Sequence, residues 1–123
     1  MANLDKKLLG GWGEAKAAEF LRRKKYDIVG MNYRCRYGEI DIIASDRKFI
    51  VFVEVKLRKS AAFAQAKEFV TRSKQEKVIL AAQSWLSVNT TELQPRFDVI
   101  EIYAPEGAES RKIEINHIEN AFE

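Results

Sequence analysis

Along residues 11–25, Gly13, Ala17, Phe20, Leu21 and Lys24 recur at i, i+4, i+7, i+8 and i+11. That rhythm predicts an amphipathic helix with one mostly apolar stripe. Glu14, Ala18 and Leu21 form the neighbouring stripe, which puts Glu14 at the edge of the buried face. Tyr26–Tyr33 reads as a short, irregular strand with Gly30 marking a bulge. Gly38–Ser45 and Lys48–Arg58 read as clear strands joined tightly through Asp46-Arg47. Lys59–Thr71 carries little pattern and reads as a loop. Ser73-Lys74-Gln75-Glu76 has the form of a capping box. Behind it Val78, Ala81, Ala82 and Trp85 repeat at helical spacing to about Leu86, and Pro95 ends the following loop. Phe97–Tyr103 and Lys112–Ile118 are strands separated by Pro105-Glu106-Gly107. The order is helix, three strands, helix, two strands. Short connections favour antiparallel neighbours, and the helix after the third strand permits a parallel crossover, so the pattern predicts a mixed sheet flanked by helices.

The hairpin carries the most informative alternation. In Phe49–Arg58 the odd positions are all apolar, while the even positions change from Ile50 and Phe52 to Glu54, Lys56 and Arg58. In the preceding strand Ile40, Ile42 and Ala44 form one face, and Glu39, Asp41 and Ile43 the other. A turn centred between Arg47 and Lys48 sets Ile42 opposite Val53, Ile43 opposite Phe52, Asp41 opposite Glu54 and Glu39 opposite Lys56. A slip by one residue would bury charge among the aliphatic side chains, which is costly; a slip by two keeps both carboxylates on one face, about 7–8 Å apart.

Two facing carboxylates repel by roughly 4 kcal/mol at 4 Å with an effective dielectric near 20. Lys56 offsets part of this, and Glu39 reads as a cross-strand partner of Lys56 before a site residue. A hard divalent cation would do so more fully, with oxygen ligands from Asp41, Glu54 and a backbone carbonyl such as that of Val55. Mg²⁺, or Mn²⁺, suits a site with one or two carboxylates plus phosphate, an arrangement for phosphodiester hydrolysis. The metal would acidify a bound water, and Lys56 would orient that nucleophile or stabilise charge on the phosphorane.

Composition narrows the class. The chain has 123 residues, 46% hydrophobic and 32% charged, with two prolines and six glycines, as expected for one domain over residues 1–123. No apolar run approaches the roughly 18 residues needed to span a bilayer, and the opening MANLDKKLLGG is too short in apolar residues for a signal peptide. The expectation is a cytoplasmic protein with no membrane partner. One cysteine, Cys35, excludes an internal disulfide and a Cys-cluster zinc site. The net charge of +3 is uneven. Residues 1–77 carry 18 Lys or Arg against 10 Asp or Glu, and residues 78–123 carry 3 against 8. A one-sided basic surface is the footprint of a polyanion partner, here nucleic acid; solvated lysines and arginines would give the same count.

Asp41 followed, thirteen positions on, by Glu54-Val55-Lys56 resembles the motif of the PD-(D/E)xK nucleases. More closely, the chain resembles the YraN-like family of bacterial proteins, related to archaeal Holliday-junction resolvases. The resemblance runs from about Gly11 to Ile102. It rests on Gly13-Glu14, Asn32-Tyr33-Arg34, Gly38-Glu39-Ile40-Asp41, Val51-Phe52-Val53-Glu54-Val55-Lys56, the Lys74 helix and Arg96-Phe97-Asp98-Val99-Ile100. The proline that names the motif is replaced by Ile40, a position that varies in such nucleases. The resemblance implies an α/β, restriction-endonuclease-like three-layer core in αβββαβ order plus a C-terminal strand. It also implies a Mg²⁺-dependent endonuclease acting on branched or structured DNA, with Asp41 and Glu54 as metal ligands, Lys56 as catalytic lysine and Glu14 completing the metal site.

Arg34, Arg36, Arg58, Lys59 and Lys74 are candidate contacts to a nucleic-acid backbone. Tyr33 and Tyr37 read as packing residues before base-stacking ones, Trp12 and Trp85 as core, and Asp98 as a structural hydrogen-bond acceptor. His117, the only histidine, has no partner in view, which excludes a histidine general base. No Gly-rich phosphate loop exists, so P-loop nucleotide hydrolysis is excluded. A domain this small covers little duplex, so branched DNA would require a homodimer or partner proteins. Two other readings stay open: a nucleic-acid-binding adaptor that keeps the fold without turnover, and a protein-interaction module.

Overall fold

A computed structural model describes residues 2–59 and 70–122, with side chains from Gly10 onward in the first helix. The elements are α1 (Ala2–Arg23), β1 (Asp27–Cys35), β2 (Gly38–Ser45), β3 (Phe49–Arg58), α2 (Arg72–Val88), β4 (Gln94–Tyr103) and β5 (Glu114–Phe122). A short 3₁₀ turn, Gly107–Glu109, precedes β5. Most of the segment read as a patternless loop, residues 60–69, lies outside the described residues. Among the described residues no helix is long and apolar enough to cross a membrane.

The five strands form one mixed sheet in the order β1-β2-β3-β4-β5. β1–β2, β2–β3 and β4–β5 are antiparallel, and β3–β4 is parallel. Central β3 is buried on both sides. Val51 and Val53 pack with Ala17, Ala18 and Leu21 of α1, while Ile50 and Phe52 pack with Val78, Ala81 and Ala82 of α2. The α/β core of a mixed sheet between helices is therefore the architecture the alternation implied. Trp12 and Trp85 border these clusters half-buried rather than filling them.

The helix boundaries differ from the periodicity for local reasons. Gly10, Gly11 and Gly13 weaken the helical pattern by about 1 kcal/mol each relative to alanine, which hides the first turns of α1. Its C-terminus is a Schellman cap: the Tyr26 N–H donates to Leu21 O and the Lys25 N–H to Arg22 O, both at 3.0 Å. Lys25 supplies the left-handed conformation at φ 74°, and Tyr26 and Leu21 close the cap within one apolar cluster. In α2 the cap is Thr71, whose hydroxyl accepts the Lys74 N–H at 3.1 Å. Ser73 is already inside the first turn, so the expected capping box does not form.

Two further departures shape the sheet. Pro95 lies within β4 rather than before it, near the strand's start, where a missing donor is tolerated. Ile40 packs with Ile43 and Phe52 rather than with Ile42 and Ala44. The alternation breaks at Asp41, opposite Asn32, which sits at φ 53°; neither residue holds a place in the β1–β2 register. The bulge expected near Gly30 is present, between Ile28 and Gly30.

A buried polar knot ties β5 to the rest of the sheet. Asp98 is fully buried. It accepts from Arg96 Nε and Nη2 at 2.9 and 2.8 Å, from His117 Nε2 at 2.7 Å and from the Asn120 N–H at 3.0 Å. Lys24 Nζ lies 2.8 Å from His117 Nδ1; an ammonium only donates, which puts the ring proton on Nε2. Burial alone would raise the Asp98 carboxyl, but the hydrogen bonds from His117, Arg96 and the backbone hold it below the ordinary carboxylate value. Asp98 thus has the structural role read from its apolar strand. His117 is not partnerless, because β5 pairs with β4, where His117 is in register with Ile100 and reaches Asp98.

Candidate functional site

The β2–β3 ladder has the register deduced from the alternation: Ile42↔Val53, Ile43↔Phe52, Ala44↔Val51 and Ser45↔Ile50. It stops one residue short of the acids. Beyond that point the Asp41 carboxylate takes the place of a backbone partner, and Oδ2 accepts the Val55 N–H at 2.8 Å. The ladder therefore opens where β3 changes from apolar to charged. In a strand the N–H and C=O of one residue point the same way, so the Val55 carbonyl shares this opening.

Asp41 and Glu54 meet in it. Both are buried, 8% and 6% exposed, and each carboxyl group acts on the titration of the other. Burial, then the Asp41 charge, pushes Glu54 up to about 7, while Lys74 and Lys56 pull against that rise. Burial also raises Asp41, against the pull of the Val55 N–H hydrogen bond, of Glu54 and of the Lys74 charge. The pair thus shares one proton in the lower physiological range and becomes doubly charged above it.

Glu14 approaches from α1, which comes close to β3 at Gly13: a Cβ there would lie 3.6 Å from Leu57 Cδ1. Burial raises the Glu14 carboxyl and the Asp41 charge adds to the rise, while the nearby Asn32 side chain lowers it. Asn32 was quoted above only as part of a motif. Its left-handed backbone opposite Asp41 is the signal for a positional role, since asparagine tolerates that conformation better than most residues.

Two lysines flank the acids. Lys74, in the first turn of α2, places Nζ 3.9 Å from Glu54 Oε1. Lys56 acts on Glu54 at longer range and makes no hydrogen bond or ion pair among the described residues. Glu39 does not pair with Lys56 as the register suggested. It pairs with Arg34, its β1 neighbour, at 3.1 Å.

The remaining basic candidates separate. Arg34 is three-quarters exposed. Arg36 sits in the β1–β2 turn, its guanidinium over the Tyr37 ring at 4.9 Å. Lys59 is exposed just past β3. Arg58 does not face solvent: its side chain is 5% exposed, and Nε donates to Glu101 Oε2 at 3.0 Å. The strand alternation could not reveal this, because the partner is on β4, where Arg58 is in register with Tyr103, two residues beyond Glu101. Tyr33 packs against the α2-side cluster and reaches Ser84 Oγ at 3.1 Å.

The donor set at the opening consists of oxygens: two carboxyl groups, a carbonyl and, near them, Glu14. That chemistry fits a hard cation such as Mg²⁺ and not a thiophilic one. Among the described residues no three His, Cys, Asp or Glu side chains converge as a closed ligand set. A Mg²⁺ ion, which keeps several waters and needs one or two carboxylates, does not require one.

The model of "Uncharacterised protein family UPF0102" matches residues 13–102, a span that holds every acid and lysine of the opening. The UPF0102 protein of Caldanaerobacter subterraneus subsp. tengcongensis is 45% identical over 99% of this chain and 100% of its own length. That of Caldicellulosiruptor saccharolyticus is 40% identical, covering 97% and 100%. That of Geotalea daltonii is 45% identical, covering 97% and 92%. These names designate the family and state no activity.

Proposed function

The chain belongs to the uncharacterised protein family UPF0102, the family to which the YraN-like resemblance pointed, and we propose that it is a divalent-metal-dependent endonuclease hydrolysing DNA phosphodiester bonds. The observation that carries this reading is the buried Asp41–Glu54 carboxyl pair at the opened end of the β2–β3 ladder, beside Lys56, which makes no ion pair or hydrogen bond among the described residues. A sheet gains nothing structurally from two desolvated acids in contact; removing both from water costs several kcal/mol. The arrangement is understandable if a cation and a phosphate are its natural complement.

Asp41 and Glu54 would hold Mg²⁺ or Mn²⁺, with Glu14 as the nearest further acid. When bound, such an ion supplies Lewis acidity at the scissile phosphate and lowers the pKa of a water. The Val55 N–H fixes one oxygen of Asp41 and so orients the other. Glu54 gives up its proton when the ion is loaded. Lys56, with no competing partner among the described residues, is available to position the attacking water or to meet charge developing on the phosphate oxygens. Arg34, Arg36, Lys59 and Lys74 would bind the DNA backbone. Branched or structured DNA is the substrate class implied by the resemblance, and a chain of this size would engage it as a homodimer.

A second reading is favoured by one observation. Glu54 keeps a proton up to about pH 7 and already has Lys74 beside it, as expected of a fold that binds nucleic acid without turning it over. Labelled branched, nicked and single-stranded DNA with Mg²⁺ or Mn²⁺ separates the two. Cleavage lost in Lys56→Ala supports the nuclease; binding without cleavage, unchanged in Lys56→Ala, supports the adaptor.

A further inference from the structure

Beside the acid pair lies a cleft of about 260 Å³, lined by Arg34, Cys35, Gly38, Glu39, Lys74 and Lys77. At about 30 Å³ per water it has room for roughly nine waters, enough for a phosphate group with part of its sugar. Its floor exists because residue 38 is glycine. A Cβ there would come within 3.2 Å of Lys77 Cβ and 3.3 Å of Lys77 O, so the β1–β2 hairpin rests directly on the backbone of α2. Among the described residues its walls carry three cations and one anion. Glu39 is satisfied by Arg34 Nε, and a guanidinium carries five N–H donors. Lys77 is exposed and makes no ion pair or hydrogen bond among the described residues. Among the described residues no aromatic ring lines the cleft, and its cations suit an anion rather than a stacked base. Lys74 forms part of the wall and also faces Glu54, linking the cleft to the acid pair.

We propose that this cleft is a phosphate-binding subsite, with Lys77, Lys74 and Arg34 holding a phosphate of the nucleic-acid strand beside the one positioned at Asp41 and Glu54. The inference rests on nucleic acid being the ligand, but not on cleavage. A phosphate reaches the cleft either as an internal diester or as a 5′-terminal monoester, and both would be read by the same three cations.

Cys35 supplies the probe, since it lines the cleft with a free, partly accessible thiol and is the chain's one cysteine. The full chain is treated with iodoacetamide in EDTA, with and without saturating single-stranded oligothymidylate bearing or lacking a 5′-phosphate. Binding is followed by fluorescence anisotropy over a salt series. Occupancy of the cleft should slow alkylation about tenfold, the scale of a ten-to-one occupied population. Equal protection by both oligonucleotides assigns an internal diester, and protection by the phosphorylated one alone assigns a terminal monoester. Lys77→Ala should remove most of the protection and lower the slope of log K against log salt by about 0.7, one single-strand phosphate contact, with Lys77→Arg restoring both. Circular dichroism verifies that the variants fold, as an exposed helical lysine allows. Absence of binding, binding without protection, or protection and slope unchanged in Lys77→Ala overturns the subsite. Because metal is absent throughout, a protein that never cuts can still show the subsite, and an active nuclease can lack it.

Discussion

The Asp41 carboxylate accepts the Val55 backbone N–H at 2.8 Å, so a side chain occupies the place of a main-chain partner at the point where β2 and β3 part. One oxygen of Asp41 is thereby committed to architecture and the other left for chemistry. Asparagine can keep the first role, because its carbonyl still accepts from Val55, but it removes the charge. Asp41→Asn should therefore fold, lose cleavage by at least about 10²-fold, and let Glu54 titrate closer to its ordinary value of 4.5, since the Asp41 charge is the largest cause of its rise after burial. NMR titration of the glutamate side-chain carbons reads this shift directly. A Glu54 that still titrates near neutrality would leave burial as the whole cause.

The raised Glu54 value also has a sign in stability. Well below 4.5 both folded and unfolded chains hold the proton, and the group contributes nothing. As pH climbs from 4.5 through about 7, the unfolded chain ionises first and unfolding becomes progressively favoured; above that the full penalty stands. The shift sets a ceiling on the order of 3 kcal/mol, and Glu14 and Asp41, both raised, push the same way. Glu54→Gln should thus stabilise the metal-free chain at about pH 8, by about 1–3 kcal/mol, while abolishing cleavage. Urea denaturation of both proteins at acidic and alkaline pH checks it. The gain should vanish toward acid pH, and a gain independent of pH would point to packing instead.

Much of this arrangement was legible in the sequence because it follows from period-two alternation. The change of β3 from Phe52 to Glu54 on one face excluded a one-residue slip and so put Asp41, Glu54 and Lys56 on one face, while the turn centred between Arg47 and Lys48 set Asp41 opposite Glu54. What escaped was whatever depends on neighbours outside the hairpin. Arg58 alternates with the site residues, yet its fate is set by Glu101 on β4. Glu39 chose Arg34 on β1 over Lys56. Lys74 faces Glu54 because α2 docks on the sheet, a placement no local pattern encodes. Asn32 and Gly38 act through their backbones, where side-chain periodicity is silent. His117 lay within the expected last strand, but its partners Asp98 and Lys24 come from β4 and the end of α1.

The knot around Asp98 should behave as structure alone. Removing its carboxylate leaves the largely buried Arg96 guanidinium without its bidentate partner and frees His117 from β4. Asp98→Ala should cost about 3–5 kcal/mol, the range for breaking a buried charged pair from one side. Asp98 hydrogen-bonds to none of Glu14, Asp41, Glu54 or Lys56, so the folded fraction should bind DNA with unchanged salt dependence. Denaturation midpoints together with that salt series make the comparison. A shallower salt slope in the folded variant would mean that Arg96 or Lys24 meets the ligand.

Loading the opening with Mg²⁺ requires the proton shared by Asp41 and Glu54 to leave, because a cation and that proton compete for the same oxygens. With Glu54 near 7, apparent affinity should rise about tenfold per pH unit on the acid side and level off on the alkaline side, with about one proton released per ion at low pH and about none at high pH. Isothermal titration calorimetry in buffers of different ionisation enthalpy counts the protons. In Glu54→Gln the proton release should disappear along with most of the affinity. An affinity flat in pH across that window, or unaffected by Glu54→Gln, would place the ion away from these two carboxyl groups and remove the physical reason for their contact.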